Sequence, residues 1–413
     1  MAFEFIFLKL KWLISSFWWI ILPFFTFYLF WHYFVESNKE KFLKSLEWVL
    51  LEVKVPPEIL KTPKATEQIF ANLHSILRRK ISFWERNFEG VIQEWFSFEI
   101  VSIFGEIHFL IRTPAKFRNL IESQIYAQYP EAEIYLVEDY FEIFKGVIPN
   151  EEYDLEQVFL ILERENPYPI LTYQFFEEKE EEKRIDPLAN ILEAISNLES
   201  GEVMVLQYIF RPVKDDKWKK EGEEIVKSLG GGKPPLKMDI VDHTMEWIRN
   251  FLKALFEPPI WGTGRPGEPP DYTKLSPGTV EVIKSIERKI SKLGFEGAIR
   301  ISYISKKEIF DKSKINAVVG AFFQFNTQNL NSFKREKVIS LQHFEWLFKN
   351  RRLFLVKKEA FLSAKERRFP EKTSILNSEE LATIYHFPTK MVKTPSLRRP
   401  PIKQVEPPPG LPT

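Results

Sequence analysis

The chain contains no cysteine, only six histidines and almost no net charge, and each of these features excludes or disfavours a class of function. Without cysteine, disulfide bonds and thiolate chemistry are excluded. The 413 residues include 58 Lys and Arg and 57 Asp and Glu, a formal net charge of +1. The net charge of the whole chain therefore gives no reason to expect nucleic-acid binding, although local basic patches occur. The histidines lack ligand spacing such as H-x-x-x-H, which disfavours a histidine metal site but leaves a carboxylate site open.

Motifs of common enzyme classes are also missing. GGGKPP at 230–235 and GTGRPG at 262–267 lack the phosphate-loop spacing G-x-x-x-x-G-K-[ST], and the chain has no G-x-S-x-G and no H-E-x-x-H. Glu138 and Asp139 end a predicted strand without an accompanying base, and the isolated His108 is better explained as a structural residue. We therefore predict that the protein is not an enzyme and that it has no cofactor and no metal site.

A long uncharged apolar run lies near the N-terminus. WLISSFWWIILPFFTFYLFWHYFV, residues 12–35, contains no Asp, Glu, Lys or Arg, and about 20 apolar residues suffice to cross a bilayer. A cleaved signal peptide would be shorter and followed by small residues, and a helix buried in a soluble protein would have fewer Phe and Trp. We therefore expect residues 1–35 to form a transmembrane anchor. The predicted anchor residues, which include aromatic residues suited to the interface and a tolerated proline, are Trp12, Trp18, Trp19, Pro23, Trp31 and Tyr33.

Lysines flank this run unequally. Two precede it and four follow it: Lys9 and Lys11, then Lys39, Lys41, Lys44 and Lys54. Because positive residues favour the cytoplasmic side, we expect a single-pass protein of the inner or cytoplasmic membrane whose bulk is cytoplasmic. Residues 36–62 are predicted as a juxtamembrane helix that Pro56-Pro57 ends.

The rest of the chain alternates helical and strand periodicity. EWFSFEIVSIFGEIHFLIRTP has the alternation of a β-hairpin, and QVFLILER, YPILTYQFFE and EVMVLQYIFRP are further strand candidates. Helix, strand and helix follow one another around residues 64–128, 187–228 and 279–325. This order favours a degenerate internal repeat, although any α+β protein can produce it. We predict an α+β fold of repeated small α/β sandwich units, for which a ferredoxin-like unit is one candidate.

Changes in composition divide the chain into six predicted segments. They are the transmembrane anchor 1–35, the juxtamembrane helix 36–62, a first α+β region 63–256, a Pro/Gly-rich linker 257–278, a second α+β region 279–389 and a basic Pro-rich tail 390–413.

ILNSEELATIYHFPT predicts a short, well-capped helix close to the end of the chain. Asn377 as N-cap and Glu380 at the third helical position form a capping box, with Leu376 and Leu381 at the hydrophobic-staple positions. Pro388 ends the helix. Such a helix either packs on its own domain or docks a partner, and the Pro-rich chain beyond it is typical of a linker.

Several segments resemble the accessory region of membrane-linked conjugative-transfer ATPases. They are ILNSEELATIYHFPT, VEPPPGLPT, SFEIVS, RTPAKFRNLIESQIYAQYPEAEI and GAFFQFNTQNLNSF. Those ATPases are TraG-like type IV coupling proteins of the HerA–FtsK class, and the similar region, of the DUF8128 type, precedes their ATPase domain. The resemblance covers approximately residues 65–413. Because no Walker motif is present, it does not imply ATP hydrolysis by this chain.

The resemblance implies an accessory subunit that anchors a separate P-loop ATPase of the HerA–FtsK or TraG-like type. Contact with DNA would be indirect, and a homo-oligomer is a further expectation. The predicted docking residues are Glu379, Glu380, Leu381, Tyr385, His386 and Pro388. One alternative is a stand-alone, membrane-tethered nucleic-acid-binding protein with salt-dependent affinity. Another is a membrane-bound enzyme whose site is assembled from scattered residues with perturbed pKa values.

Overall fold

The structure is a computed structural model that describes residues 2–56, 61–78, 80–176, 186–214, 217–230, 275–338 and 349–388. In the first helix, side chains are described at Trp19 and from Leu22 onward. The predicted helix around 240–256, the linker up to residue 274 and the tail 390–413 lie outside the described residues.

The described residues form ten α-helices and nine strands. The helices are α1 (Ala2–Ser45), α2 (Lys64–Leu73), α3 (Phe83–Asn87), α4 (Arg118–Gln128), α5 (Ala189–Ser196), α6 (Trp218–Leu229), α7 (Pro277–Ile290), α8 (Ser313–Ala321), α9 (Lys349–Lys365) and α10 (Ser378–Ile384). The strands are β1 (Trp48–Lys54), β2 (Phe96–Ile103), β3 (Glu106–Pro114), β4 (Glu133–Leu136), β5 (Tyr153–Leu162), β6 (Glu202–Pro212), β7 (Gly294–Lys306), β8 (Phe333–Lys337) and β9 (Ser374–Asn377). The α+β class predicted from the sequence is confirmed.

The first half of the body is a βαββαβ unit. It runs β1, α2, β2, β3, α4 and β4, with the short α3 inserted before β2. In the sheet its strands lie in the order β4-β1-β3-β2, and each neighbouring pair is antiparallel. This is the strand order of a ferredoxin-like unit, in which both helices cover the same face of the sheet.

The second half repeats the same topology. It runs β5, α5, β6, β7, α8 and β8, and its strands lie in the order β8-β5-β7-β6. Helices α6 and α7, which belong to the connection between β6 and β7, pack on each other through Val226, Ile283 and Ile286. The described ranges thus contain two units rather than three. The predicted linker falls inside the second unit, and the boundary between the units lies between β4 and β5.

The two units join through their equivalent edge strands. β2 and β6 pair antiparallel from Phe96↔Phe210 to Ile103↔Val203, which merges both halves into one sheet. The pairing relates the units by an approximate two-fold axis, and it removes two exposed strand edges. β9 extends the sheet by pairing with Gly294–Gly297 at the start of β7.

The sheet is covered on both faces. On the first face α2, α4, α5, α8 and α10 form the main apolar core with alternate strand residues such as Phe98, Tyr208 and Ile301. On the second face the segment 137–150 and α9 form a smaller core, in which Phe141 and Phe361 meet edge to face with ring centroids 5.6 Å apart.

The N-terminal part differs from its prediction at residues 36–62. α1 continues to Ser45, and the next residues form strand β1 instead of a helix. In the strand WVLLEVK, the side chain of Leu50 lies on the second face of the sheet, and those of Leu51 and Val53 lie on the first. A strand that is buried on both faces has no polar alternation, so its pattern resembles that of a helix. Among residues with described side chains, no helix is long and apolar enough to cross a membrane.

One predicted strand is replaced by irregular structure. YPILTYQFFE contains only a 3₁₀ turn, Tyr173–Phe175, in the described residues. Its backbone is bonded to other segments, because Leu171 N donates to Phe325 O at 2.9 Å and Tyr173 N donates to Thr383 Oγ1 at 2.9 Å. These bonds satisfy buried backbone groups that a strand would have paired in a ladder.

Candidate functional site

Residues 349–388, which we call the C-terminal clamp, contact every layer of the body. α9 covers the second face, β9 lies within the sheet and α10 packs on the first face. The chain therefore crosses from one side of the sheet to the other immediately before its Pro-rich tail.

On the second face the clamp is held by a buried ion pair. Arg367 Nε and a terminal nitrogen donate to the two carboxylate oxygens of Glu99 at 2.9 and 3.2 Å, and both side chains are fully buried. Tyr140 and Ser97 donate their hydroxyls to the same carboxylate at 2.8 and 2.6 Å. These hydrogen bonds offset the free-energy cost of removing the Glu99 carboxylate from water.

A second buried arginine holds the end of α9. Arg300 on β7 donates to the Ser363 carbonyl at 2.9 Å and to the Arg368 carbonyl at 2.7 Å. It also donates to Gln207 Oε1 at 3.0 Å and lies over the Phe159 ring at 5.0 Å. Burial lowers the pKa of Arg300 to about 9. Its bonds satisfy carbonyls at the C-terminus of α9, where a positive charge is favourable.

On the first face the start of α10 carries a buried acidic group. The capping box is confirmed, because Glu380 N donates to Asn377 Oδ1 at 2.8 Å and Asn377 N donates to Glu380 Oε2 at 2.9 Å. Glu380 also pairs with Lys289 of α7 at 3.1 Å, and neither side chain is exposed. Burial raises the pKa of Glu380 and lowers that of Lys289, and their mutual attraction opposes both shifts.

Glu379 adds further ion pairs to α7 and the residues after it. Its carboxylate lies 3.2 Å from Arg288 Nε and 2.6 Å from Lys292 Nζ, and it accepts a 2.7 Å hydrogen bond from Thr172. Both acidic residues at the start of α10 therefore bind the same basic helix end, where the C-terminal backbone carbonyls would otherwise repel them.

The end of α10 enters an aromatic cluster at the two-fold axis. The Tyr385 ring lies 5.1 Å from Phe98 on β2 and 5.5 Å from Tyr208 on β6, so it contacts both units. The ring centroids of Phe387 and Tyr129 are 5.1 Å apart. The ring nitrogens of His386 lie 2.8 Å from the Ala382 carbonyl and 2.9 Å from the Asp186 carboxylate.

The six predicted docking residues are all buried within this chain. They are Glu379, Glu380, Leu381, Tyr385, His386 and Pro388. Because they are buried, a partner could contact them directly only if α10 left the core. The docking role of this region stays a prediction.

The predicted anchor residues lie on α1. The side chains of Trp12 and Trp18 are outside the described set. Trp19 and Tyr33 are 61% and 74% exposed, and Pro23 lies inside the helix. Trp31 is half-buried, with its ring 5.8 Å from that of Phe88.

The weaker sequence candidates have structural partners. His108 lies 2.7 Å from the Glu52 carboxylate across the β1–β3 pair, and Asp139 binds Arg367. Within the described ranges, no group of three potential metal-ligating side chains occurs.

Sequence reasoning missed the polar layer on the second face. Glu99, Gln207 and Arg300 lie on three adjacent strands, and each stands directly between two large apolar or aromatic residues, in SFEIVS, VLQYIF and AIRISYI. A charged or amide residue inside a strand that is apolar on both sides is the signal that could have revealed this layer.

These features define an α+β protein of two ferredoxin-like units, merged into one sheet and closed by a C-terminal clamp. The chain belongs to the DUF8128 family, a domain of unknown function, whose family model matches residues 32–400. The match includes the complete two-unit body and enters the tail. A comparison with curated proteins finds no match.

Proposed function

We propose that the protein is a non-enzymatic, membrane-anchored accessory subunit of a DNA-translocating or type IV secretion-type ATPase. α1 would hold it in the inner or cytoplasmic membrane, and the chain after the clamp would recruit the motor as a separate polypeptide. The observation that carries this proposal is the position of the clamp, which holds the chain against the body as far as Pro388, directly before the tail in the sequence.

The anchor is supported by the surface of α1. The helix has 44 residues and includes the whole uncharged run. Among its described side chains, the exposed large apolar ones are Trp19, Leu22, Phe24, Phe25, Phe27, Tyr28, Leu29, Phe30 and Tyr33. Continuous exposure of this many apolar groups is unfavourable in water and favourable in lipid.

The recruiting role of the tail is supported by the contacts of α10. Glu379 and Glu380 bind three cations at the end of α7 and just after it, which holds α10 against the body. A segment fixed in this way transmits force or position from a partner on the tail to both units. The family match continues past Pro388 to residue 400, so the first part of the tail belongs to the family's common pattern.

The alternative, a stand-alone nucleic-acid tether, is favoured by one observation. Arg351 and Lys358, seven residues apart on α9, are both exposed, and such a basic face could contact phosphates. However, both faces of the sheet are covered. The strands therefore offer no open surface on which nucleobases could stack.

The test is the recovery of partners with the tagged full chain from its own cells after detergent extraction. The proposal expects a P-loop ATPase, lost when residues 390–413 are replaced by a Gly/Ser chain of equal length. Truncation at Phe369 is unsuitable, because it would remove β9 and α10 from the core. An unchanged thermal unfolding midpoint serves as the control for folding. A folded, membrane-bound protein without an ATPase would overturn the proposal, and DNA binding that weakens steeply with salt would support the alternative.

A further inference from the structure

The short helix α3 is fixed against α1 beside the end of the uncharged run. Asn38 Nδ2 of α1 donates to the Asn87 carbonyl at 3.2 Å. Gly90 follows in a left-handed conformation with φ of +71°, and a Cβ there would lie 2.2 Å from the Asn38 carbonyl oxygen. Only glycine permits this close approach. The contact between the two backbones therefore fixes the position of α3 relative to α1.

A continuous row of aromatic rings links the two helices. Trp84 stacks on Phe88 with centroids 3.9 Å apart, and Phe88 meets Trp31 and Phe34 at 5.8 Å each. Trp31 is one of the residues that mark the end of the uncharged run. α3 therefore lies at the level where α1 would leave the hydrocarbon core.

The outer side of α3 combines exposed aromatic and basic groups. Phe83 and Trp84 are 70% and 61% exposed, although they are adjacent and large. Lys80 and Arg86 are exposed on either side of them. Single exposed apolar residues are ordinary, but this pair is contiguous with the exposed aromatic surface of α1. Aromatic rings flanked by lysine and arginine have the chemistry of the bilayer interface, where the rings enter the acyl boundary and the cations meet phosphates.

We propose that α3 is a second membrane-contact element, with Phe83 and Trp84 inserted into the interfacial region of the bilayer and Lys80 and Arg86 at the level of the headgroup phosphates. This inference rests on the proposed anchoring of the chain through α1. A single spanning helix leaves the body free to tilt and rotate, whereas a second contact fixes which side of the two-unit body faces the membrane.

The absence of cysteine makes a direct test available. Phe83→Cys and Trp84→Cys, each prepared separately in the full chain, are labelled with an environment-sensitive fluorophore. Glu281→Cys, at an exposed position of α7 in the second unit, is the matched control. The proteins are reconstituted into vesicles of phosphatidylcholine and phosphatidylglycerol, with or without doxyl-labelled lipid, and separated by flotation.

The inference expects blue-shifted emission and loss of fluorescence to doxyl lipid at positions 83 and 84, and neither effect at position 281. Flotation without quenching at 83 or 84 would overturn the α3 contact and leave the anchor intact. A blue shift without quenching would mean that a protein surface or a second copy covers α3, and would also overturn it. Failure of the chain to float would instead overturn the anchor itself, and the α3 contact with it.

Discussion

Arg367 and Glu99 form a buried, doubly hydrogen-bonded ion pair that holds the C-terminal clamp on the second face of the sheet. Arg367 has a left-handed backbone with φ of +52°, which is uncommon for a residue with a side chain. Its carbonyl accepts a 2.9 Å hydrogen bond from the Trp95 indole. Backbone strain at this position is maintained because the side chain and the carbonyl both have buried partners.

Removing the arginine should strongly destabilise the body. Arg367→Met leaves the Glu99 carboxylate buried without its cation, and we expect a loss of about 3–5 kcal/mol in the free energy of unfolding. Denaturant titration of the protein in detergent measures this change. The neighbouring Arg368 has a half-exposed side chain paired with Glu359 and Glu366, so Arg368→Met should cost less than about 1 kcal/mol. Equal losses for the two variants would contradict the importance of the buried pair.

The aromatic cluster at the two-fold axis should tolerate loss of the Tyr385 hydroxyl. Among the described residues this buried hydroxyl has no hydrogen-bond partner, so Tyr385→Phe should leave the free energy of unfolding unchanged or raise it by up to about 1 kcal/mol. Tyr140→Phe is the contrasting variant, since it removes a donor to Glu99 and should cost about 1.5–3 kcal/mol. The thermal unfolding midpoint should therefore stay the same or rise for Tyr385→Phe, and it should fall clearly for Tyr140→Phe.

Stability should fall at alkaline pH because buried tyrosines keep their protons. Burial raises the pKa of Tyr140, Tyr208 and Tyr385 well above the ordinary 10.0. Above that pH the unfolded chain loses these protons while the folded protein retains them, so the free energy of unfolding decreases as pH rises. The double variant Tyr208→Phe with Tyr385→Phe should have a shallower alkaline slope in denaturation experiments. Tyr126→Phe, which removes an exposed tyrosine hydroxyl, is the control variant.

Gly297 of β7 should not accept a side chain. A Cβ there would lie 1.9 Å from the Ile209 carbonyl oxygen on β6, and Gly297→Ala should cost about 1–3 kcal/mol or more by forcing the strands apart. At Gly320 in α8, a Cβ would meet no neighbouring atom within 4 Å, so Gly320→Ala should stabilise the helix by up to about 1 kcal/mol. Similar unfolding midpoints for the two variants would contradict the close approach of β6 and β7.

Local signals in the sequence predicted local structure well. The hairpin turn at Phe104-Gly105, the buried strand β6 and the capping box of Asn377 and Glu380 all appear in the structure. Each depends on residues that are close in the chain, such as a turn between two alternating runs or a cap three residues before its partner.

The same signals could not predict long-range pairing. Nothing near β2 or β6 indicates that these two edges join the units, and Glu379 and Glu380 resemble an ordinary exposed helix start until Lys289 and Lys292 are placed beside them. The docking hypothesis for α10 rests on the family resemblance of its capped motif and on its position next to the tail. A cap, however, determines where a helix begins and does not determine what its sides contact.

The late position of the clamp in the chain also determines when the protein can fold. α1 precedes the body in the chain, and neither face of the sheet is complete until α9, β9 and α10 have been made. Until then Glu99 lacks its partner Arg367, and Phe98 lacks its contact with Tyr385. Under the proposed anchoring through α1, targeting to a membrane would precede closure of the body, and each newly made body would close at the lipid surface.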